Sequence, residues 1–153
     1  MFHIVLVEPE IPPNTGNISR TCAVTGTALH MVRPFGFDLD DKALKRAGLD
    51  YWSSLEVHYY DAFEEVEATY PQARFFLTST HATRSYAEVS YQDGDFLVFG
   101  RETAGLGEAL LRRRATDTIR IPMKAGQRSL NLSNSAAIVL YEALRQAGFP
   151  DMV

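Results

Sequence analysis

The stretch RSLNLSNSAAIVLYEAL, from Arg128 to Leu144, places small polar residues directly before an apolar run. The polar residues are Asn131, Ser133, Asn134 and Ser135. Their side chains compete with the backbone for hydrogen bonds, so they cap helices well and fit poorly inside them. The pattern predicts a helix from about Ser133 to Ala147. It also predicts a polar pocket wall just before that helix.

Arg20 is a second candidate, because of its place in IPPNTGNISR. The prolines and Gly16 predict a loop over residues 9–17, followed by a helix from about Asn17 to Thr25. Arg20 would then lie in the first helical turn, where the helix dipole favours anions rather than cations. We therefore expect it to bind a phosphate or carboxylate in bidentate fashion. The alternative is a surface salt bridge.

Glu102 stands among glycines in FGRETAGLG, which contains Gly100, Gly105 and Gly107. Glycines allow close approach of the backbone to a ligand, although they are equally typical of a tight strand-to-helix turn. No dinucleotide-binding or P-loop signature is present in the sequence. The Glu102 carboxylate is expected either to accept backbone N–H groups and fix the loop, or to bind a ligand directly.

A third candidate loop is IPMKAGQRSLNLSNS, which mixes apolar and polar residues. Its apolar members are Ile121, Met123 and Leu130, and its polar members include Gln127, Ser129 and Asn131. A flat heteroaromatic ring such as adenine suits this mixture, with apolar contacts on its faces and hydrogen bonds at its edge. The alternative is a long loop that satisfies its own hydrogen bonds, but such loops are uncommon without a function.

Six short apolar runs predict the strands that position these loops. They are residues 2–7, 28–33, 55–60, 74–79, 95–100 and 117–122. Helices are predicted between them, including residues 40–48, 61–70 (with Asp61 and Glu64 as a capping pair) and 107–114. This alternation predicts an α/β fold, with a mostly parallel sheet and helices on both faces. The loops after strands one, five and six would then form one composite site at the carboxyl edge.

Composition limits the functional classes. With 153 residues, the chain is expected to be one domain, residues 1–153. The single cysteine, Cys22, excludes an internal disulfide, and no set of metal ligands is apparent. No signal peptide or membrane span is predicted, which favours the cytosol.

Because the net charge is −4, any RNA contact must come from local patches. Three are available: Lys42, Lys45 and Arg46; Arg112, Arg113 and Arg114; Lys124 and Arg128. The alternative is that these patches are solvated.

Three motifs in order give the chain a specific resemblance. NTGNISR (Asn14 to Arg20), LVFGRETAGL (Leu97 to Leu106) and IPMKAGQRSLNLSNSAAI (Ile121 to Ile138) resemble those of the SpoU branch of the SPOUT RNA methyltransferases. EPEIPPNTGNI, RAGLDY and SYQDGD are similar to the minimal, single-domain members, which methylate the ribose 2'-OH of the tRNA wobble nucleotide. The resemblance covers nearly the whole chain. One departure is Arg101, where a proline or small residue is expected.

The resemblance implies a deep C-terminal trefoil knot, S-adenosylmethionine as cofactor with no metal, tRNA as substrate, and a homodimer. The implied cofactor contacts are Leu77, Gly100, Glu102, Ile121, Met123, Ser129 and Leu130. Arg20 is the implied catalytic arginine, with Asn14 and Asn131 holding it and the ribose. Tyr141 would contact RNA or pack in the dimer interface. The last helix is apolar nearly all round, which also favours a dimer.

Rival functions stay open at this point. One is a 2'-O-methyltransferase of another tRNA or rRNA position. Another is a non-catalytic RNA-binding relative, against which the presence of Arg20, Glu102 and Asn131 argues. A dinucleotide-dependent oxidoreductase is excluded, because no dinucleotide fingerprint follows the first strand.

Overall fold

A parallel β-sheet forms the centre of the computed structural model, which describes residues 1–39, 42, 46 and 49–153. Its strands are β1 (His3–Val7), β2 (Ala28–Val32), β3 (Val57–Tyr60), β4 (Phe75–Thr78), β5 (Phe96–Phe99) and β6 (Thr118–Ile119). The strand order is β3-β2-β1-β5-β4-β6, and every pairing is parallel. All six predicted strands are confirmed, although β6 is only 2 residues long.

The helices in the described part of the chain are α1 (Pro12–Thr25), α2 (Phe63–Thr69), α3 (Glu108–Arg113) and α4 (Leu132–Gln146). Short 3₁₀ helices occur at Leu49–Ser54, Tyr86–Glu88 and Ala115–Asp117. The helix predicted over residues 40–48 lies outside the described residues. None of the described helices has the length and apolarity that crossing a membrane requires.

Helix α1 begins earlier than the sequence predicts, at Pro12 rather than near Asn17. The prediction took the two prolines as part of a loop, and it was wrong. Proline at the first helical position costs nothing, because its missing N–H would have no partner within the helix and its φ is already helical. The helix ends as expected at Gly26, whose φ of 69° is the left-handed conformation typical of a helix C-terminus.

The residues that cap α4 and α2 agree only in part with those predicted from the sequence. Asn131 caps α4, since its side-chain oxygen accepts the backbone N–H of Asn134 at 3.1 Å. The capping pair predicted for α2 is wrong, because α2 has no side-chain cap at Ala62. Instead, the backbone N–H of Asp61 donates to the Glu65 carboxylate at 2.7 Å.

Helices cover both faces of the sheet, as predicted. On one face, Ile4 and Leu6 of β1 pack with Ile18 and Cys22 of α1 and with the buried residues of α4. On the other face, Val5 and Val7 pack with Phe63 and Val66 of α2, and Leu110 and Leu111 of α3 adjoin them. Cys22 is fully buried, and burial raises the pKa of its thiol to about 12. The thiol is therefore inert at neutral pH.

A hydrogen-bonded histidine network crosses three adjacent strands. His3 Nδ1 lies 2.9 Å from His30 Nε2, and His30 Nδ1 lies 2.9 Å from the Tyr60 hydroxyl. His30 is completely buried. Burial, with the neighbouring His3 and His58, lowers the pKa of His30 to about 3. The ring is therefore a neutral core group with both of its nitrogens hydrogen-bonded.

This network makes the stability of the protein dependent on pH. His30 stays neutral in the fold, whereas in the unfolded chain it takes up a proton below its ordinary pKa of 6.5. Above pH 6.5 the ring is neutral in both states and does not change the free energy of unfolding. Below pH 6.5 only the unfolded chain takes up the proton, so the free energy of unfolding decreases as the pH falls toward 3. Between pH 7.5 and pH 5 we expect the free energy of unfolding to fall by roughly 2 kcal/mol, measured by urea denaturation.

His30→Gln should be less stable at pH 7.5 but show a flatter pH dependence. An equally steep dependence in this variant would contradict the assignment, and His81→Gln serves as the control.

Candidate active site

A cavity of about 640 Å³ opens at the carboxyl edge of the sheet, within the range typical of small-molecule sites. Four segments line it: the start of α1, the loop after β4, the loop after β5 and the loop after β6. Its apolar lining includes Phe99, Leu106, Ile121, Met123 and Leu130. Polar groups from Ser79, Ser129 and Asn131 adjoin these residues. This is the mixture that suits a flat heteroaromatic ring.

Glu102 joins the β5 loop to the start of α1. Its carboxylate accepts the backbone N–H groups of Glu10 (2.9 Å) and Ile11 (2.8 Å), and the side-chain amide of Asn14 (3.2 Å). Helix α1 has no side-chain cap of its own and no acidic residue in its first turn. Glu102 therefore supplies from another loop both the acceptor and the negative charge that a helix N-terminus favours.

Glu10 forms the reciprocal contact. Its carboxylate accepts the backbone N–H of Thr103 at 3.0 Å and the Thr103 hydroxyl at 2.8 Å. These hydrogen bonds, with a smaller contribution from the charge of Arg101, lower the pKa of the Glu10 carboxyl. Two carboxylates thus hold the β1–α1 and β5–α3 loops together from both sides.

Asn14 extends the connection to the last helix. Asn131 Nδ2 donates to Asn14 Oδ1 at 3.1 Å, while Asn14 Nδ2 donates to Glu102. The other end of the Asn131 amide accepts the backbone N–H of Asn134 and the Ser133 hydroxyl. A continuous polar chain therefore runs from Glu102 through Asn14 and Asn131 to the N-terminus of α4.

Gly100 closes the bottom of the β5 loop. A Cβ atom at this position would lie 2.2 Å from the backbone carbon of Gly105 and 2.3 Å from the nitrogen of Leu106. Only glycine permits this approach. The next residue, Arg101, exchanges both backbone hydrogen bonds with Gly105, at 3.1 and 2.8 Å. The loop is a closed turn, and its lining residues have fixed positions.

The structure brings most of the predicted site residues together. Those that line the cavity are Asn14, Gly100, Glu102, Ile121, Met123, Ser129, Leu130 and Asn131. Leu77 is fully buried within β4, and the next residues, Thr78 and Ser79, reach the cavity instead. Tyr141 lies outside the lining and is 42% exposed. The contacts of these residues with a cofactor or RNA stay a prediction.

Arg20 does not line the cavity of its own chain. It is exposed on α1, and because that helix begins at Pro12, Arg20 lies beyond the second turn rather than in the first. The interpretation based on the helix dipole was therefore wrong. Asn14 is six positions earlier, a distance of about 9 Å along a helix axis. A catalytic role for Arg20 thus requires an explanation other than proximity within one chain.

The sequence reasoning missed the loop after β4, and it named Arg128 only as part of a basic patch and Arg101 only as a departure from the motif. Thr78, Ser79, Thr80 and His81 line the cavity, as do Arg101 and Arg128. The β4 loop reaches it because β4 lies between β5 and β6 in the sheet. The rule that ligands bind beyond the carboxyl ends of strands applies equally to β4. However, the strand order that places β4 there cannot be read from local patterns.

One of the predicted basic patches is neutralised by acidic neighbours. Arg113 and Arg114 both bind the Glu67 carboxylate, at 2.7 and 2.6 Å, and Arg114 also binds Asp117. Arg112 binds Glu108 at 2.7 Å. This patch is therefore a set of ion pairs rather than a free RNA-binding surface. Lys45 of the first patch lies outside the described residues.

The fold and the cavity together define an open α/β protein with a cavity of small-molecule size at the carboxyl edge of its sheet. Residues 1–141 match the model of the SpoU rRNA Methylase family. The chain belongs to this family.

Individual relatives agree with this assignment. A tRNA (cytidine(34)-2'-O)-methyltransferase of Escherichia coli (strain K12) is 54% identical over 157 residues, covering 100% of this chain and 98% of the relative. A solved structure that concerns the 2-OH methylation of C/U34 on tRNA is 44% identical, with a TM-score of 0.91 and 97% of each chain covered. A SpoU methyltransferase from Streptomyces viridochromogenes, in complex with the cofactor AdoMet, is 27% identical, with a TM-score of 0.82 over 95% of this chain and 60% of its own.

The Glu102 contacts predict a stability effect. Glu102→Gln keeps the shape of the side chain but removes its charge. It also replaces one carboxylate oxygen, a hydrogen-bond acceptor, with an NH₂ group, which is a donor. We expect the free energy of unfolding, measured by urea denaturation, to fall by about 1–2 kcal/mol. Glu108→Gln is the matched control, because Glu108 is exposed in the first turn of α3 and pairs only with Arg112, so a smaller loss of at most about 0.5 kcal/mol is expected. Equal stabilities for the two variants would show that Glu102 does not hold the loops.

Proposed function

We propose that the protein transfers a methyl group from S-adenosylmethionine to the ribose 2'-OH of the tRNA wobble nucleotide, position 34. The observation that carries this proposal is the cavity at the sheet edge, with Asn14, Glu102 and Asn131 joined in one hydrogen-bonded chain. The names of relatives at about 50% identity over nearly the full chain specify the tRNA position. The proposed place of action is the cytoplasm, where tRNA is modified.

The residues present suit the cofactor. Ile121, Met123 and Leu130 offer apolar contacts for the faces of an adenine ring, and Ser129 offers polar groups at its edge. The closed turn from Gly100 to Leu106 presents backbone groups that a side chain at position 100 would displace. The sulfonium of S-adenosylmethionine supplies an electrophilic methyl group with a good leaving group. The protein has only to position the ribose and assist removal of its hydroxyl proton.

Asn14 and Asn131 are the groups we assign to positioning the ribose. An amide NH₂ has two N–H donors, and in each asparagine one of them serves the chain described above. The second donor of each is available for a ribose oxygen at the cavity wall. Because Glu102 and the start of α4 orient both amides, this role needs little reorganisation when substrate binds.

Arg20 is the residue we assign to the reacting hydroxyl. Its guanidinium stays protonated at ordinary pH, so it cannot itself accept the proton. It can orient an RNA phosphate that accepts the proton, or it can stabilise the developing alkoxide. Since Arg20 does not line the cavity of its own chain, we propose that it acts in the cavity of a second copy.

A homodimer would supply that second copy. Helices α1 and α4 pack against each other, and both leave apolar groups on their outer surfaces. Val24 of α1 is 57% exposed, Tyr141 of α4 is 42% exposed, and Ile138 is half-buried. Arg20 is exposed on α1 as well. A dimer joining these helices would cover the apolar side chains and bring Arg20 to the junction, with Tyr141 packing there or contacting RNA.

We also propose that residues 1–153 form a single SPOUT domain with a C-terminal trefoil knot. Strand β6 lies at the sheet edge beside β4, whereas the following helix α4 returns to pack against α1 and β5 near the centre of the sheet. The chain must therefore cross back over the β5 loop region. This return supports a knotted path rather than a simple continuation at the edge.

The reaction is tested by methyl transfer from labelled S-adenosylmethionine to unmodified total tRNA, with the product located by mass spectrometry. We expect label on the ribose of nucleotide 34. Asn131→Ala should lower kcat by roughly 100-fold, because it removes a preorganised donor. Label at another tRNA or rRNA position would support methyl transfer by this protein but contradict nucleotide 34 as its target. Absence of label, despite cofactor binding by calorimetry, would favour a binding protein.

The shared site is tested by mixing two inactive variants, Arg20→Ala and Asn131→Ala, under conditions that allow subunits to exchange. In a mixed dimer, the cavity of the Arg20→Ala chain is intact and receives Arg20 from its partner. Equal amounts should therefore restore about a quarter of wild-type activity. If Arg20 served its own cavity, every site would remain defective. No recovery, despite proven exchange of subunits, would contradict the proposal.

A further inference from the structure

Two arginines on separate loops line the cavity. Arg101 follows Gly100 in the β5 loop and is half-buried, while Arg128 is exposed in the loop after β6. Both backbone hydrogen-bonding groups of Arg101 are bonded to Gly105, which fixes the point from which its side chain extends. Neither residue belongs to the set that the proposed reaction already uses.

Neither arginine forms a salt bridge with any described carboxylate. The nearby acids already have partners. Glu102 accepts three donors from the β1–α1 segment, and Glu10 is held by Thr103. The charge of Arg101 lowers the pKa of Glu10, but this effect is smaller than those of the Thr103 hydrogen bonds and of burial.

Many arginines elsewhere in the described chain differ from this pair. Those that bind carboxylates are Arg33, Arg74, Arg112, Arg113, Arg114 and Arg145. Arg84 and Arg120 donate to backbone carbonyls instead. Arg101 and Arg128 thus bring two positive charges to the cavity without a salt bridge to a described carboxylate, beside the negative charges of Glu10 and Glu102, whose hydrogen-bond donors are all neutral groups.

The position of the two arginines indicates the occupant. The cavity wall is apolar or neutral at Phe99, Leu106, Ile121 and Met123. Arg128 is exposed and Arg101 is half-buried, so a polyanion that approaches the cavity from solvent can reach both charges. Arginine binds phosphate bidentately and keeps its charge at all ordinary pH values. An RNA phosphodiester fits this arrangement better than a group enclosed in the cavity.

We propose that Arg101 and Arg128 form a two-arginine clamp on a phosphodiester of the substrate RNA beside the methylated ribose. The proposal rests on the function proposed above and adds the residues that draw the RNA backbone to the cavity mouth. In the sequence, Arg101 occupies a position where a proline or small residue is expected.

The clamp is tested by the salt dependence of tRNA binding, measured by fluorescence anisotropy without added cofactor. The variants are Arg101→Gln, Arg128→Gln and the double variant. Arg112→Gln is the matched control, since Arg112 is exposed, pairs with Glu108 and lies outside the cavity lining. Each single clamp variant should weaken tRNA binding about tenfold at low salt. It should also reduce the slope of log Kd against log salt concentration by roughly 0.7–0.9. The control should match the wild type in slope.

Calorimetry with S-adenosylmethionine alone separates the two candidate anions. We expect the cofactor Kd of the clamp variants to stay within about twofold of the wild type, and their melting temperatures to be unchanged. A weaker cofactor Kd with unaltered tRNA binding would mean that an arginine holds the cofactor carboxylate, and it would overturn the clamp. Unaltered tRNA affinity and slope would overturn it as well. If the wild type itself does not bind tRNA, the proposed function fails, which is a different result from loss of binding in the variants alone.

Discussion

The carboxylate of Glu102 is the contact on which the rest of the site depends. It binds two backbone N–H groups and one amide from a segment 88 to 92 positions earlier in the chain. Charge-assisted hydrogen bonds of this kind are stronger than neutral ones, and here they also satisfy a helix N-terminus that has no cap of its own. Together with the reciprocal bonds between Glu10 and Thr103, they fix the start of α1 relative to the β5 loop.

The sheet order explains why these distant segments meet. Strands β1 and β5 are neighbours in parallel register, with His3 opposite Phe96 and Leu6 opposite Phe99, so their carboxyl ends lie side by side. Glu10 and Glu102 follow those ends and form reciprocal bonds across the gap. On the other side of β5, strands β4 and β6 bring the two remaining loops to the cavity. The loops contribute the chemistry, and the parallel sheet sets their positions.

Local sequence patterns were sufficient for the strands and for the composite character of the site. The strands are short apolar runs bounded by turn residues, which is a local property. The start of α1 was misjudged because Pro12 and Pro13 are compatible with both a loop and a helix N-terminus, and only the contacts of Glu102 decide between them. The exclusion of Arg20 from its own cavity and the arrival of the β4 loop depend on strand order and helix length, which are not local. Most of the site residues that the family resemblance implied line the cavity.

The most direct test of this account is a double-mutant cycle on cofactor binding, with Glu102→Gln, Asn131→Ala and the double variant measured by calorimetry with S-adenosylmethionine. Glu102 and Asn131 act on the cavity through Asn14, which contacts both of them. The account predicts that their effects on the free energy of binding are not additive, with a coupling of about 0.5–1.5 kcal/mol. Additive effects, within about 0.3 kcal/mol, would show that the two walls of the cavity are held independently, and this would contradict it.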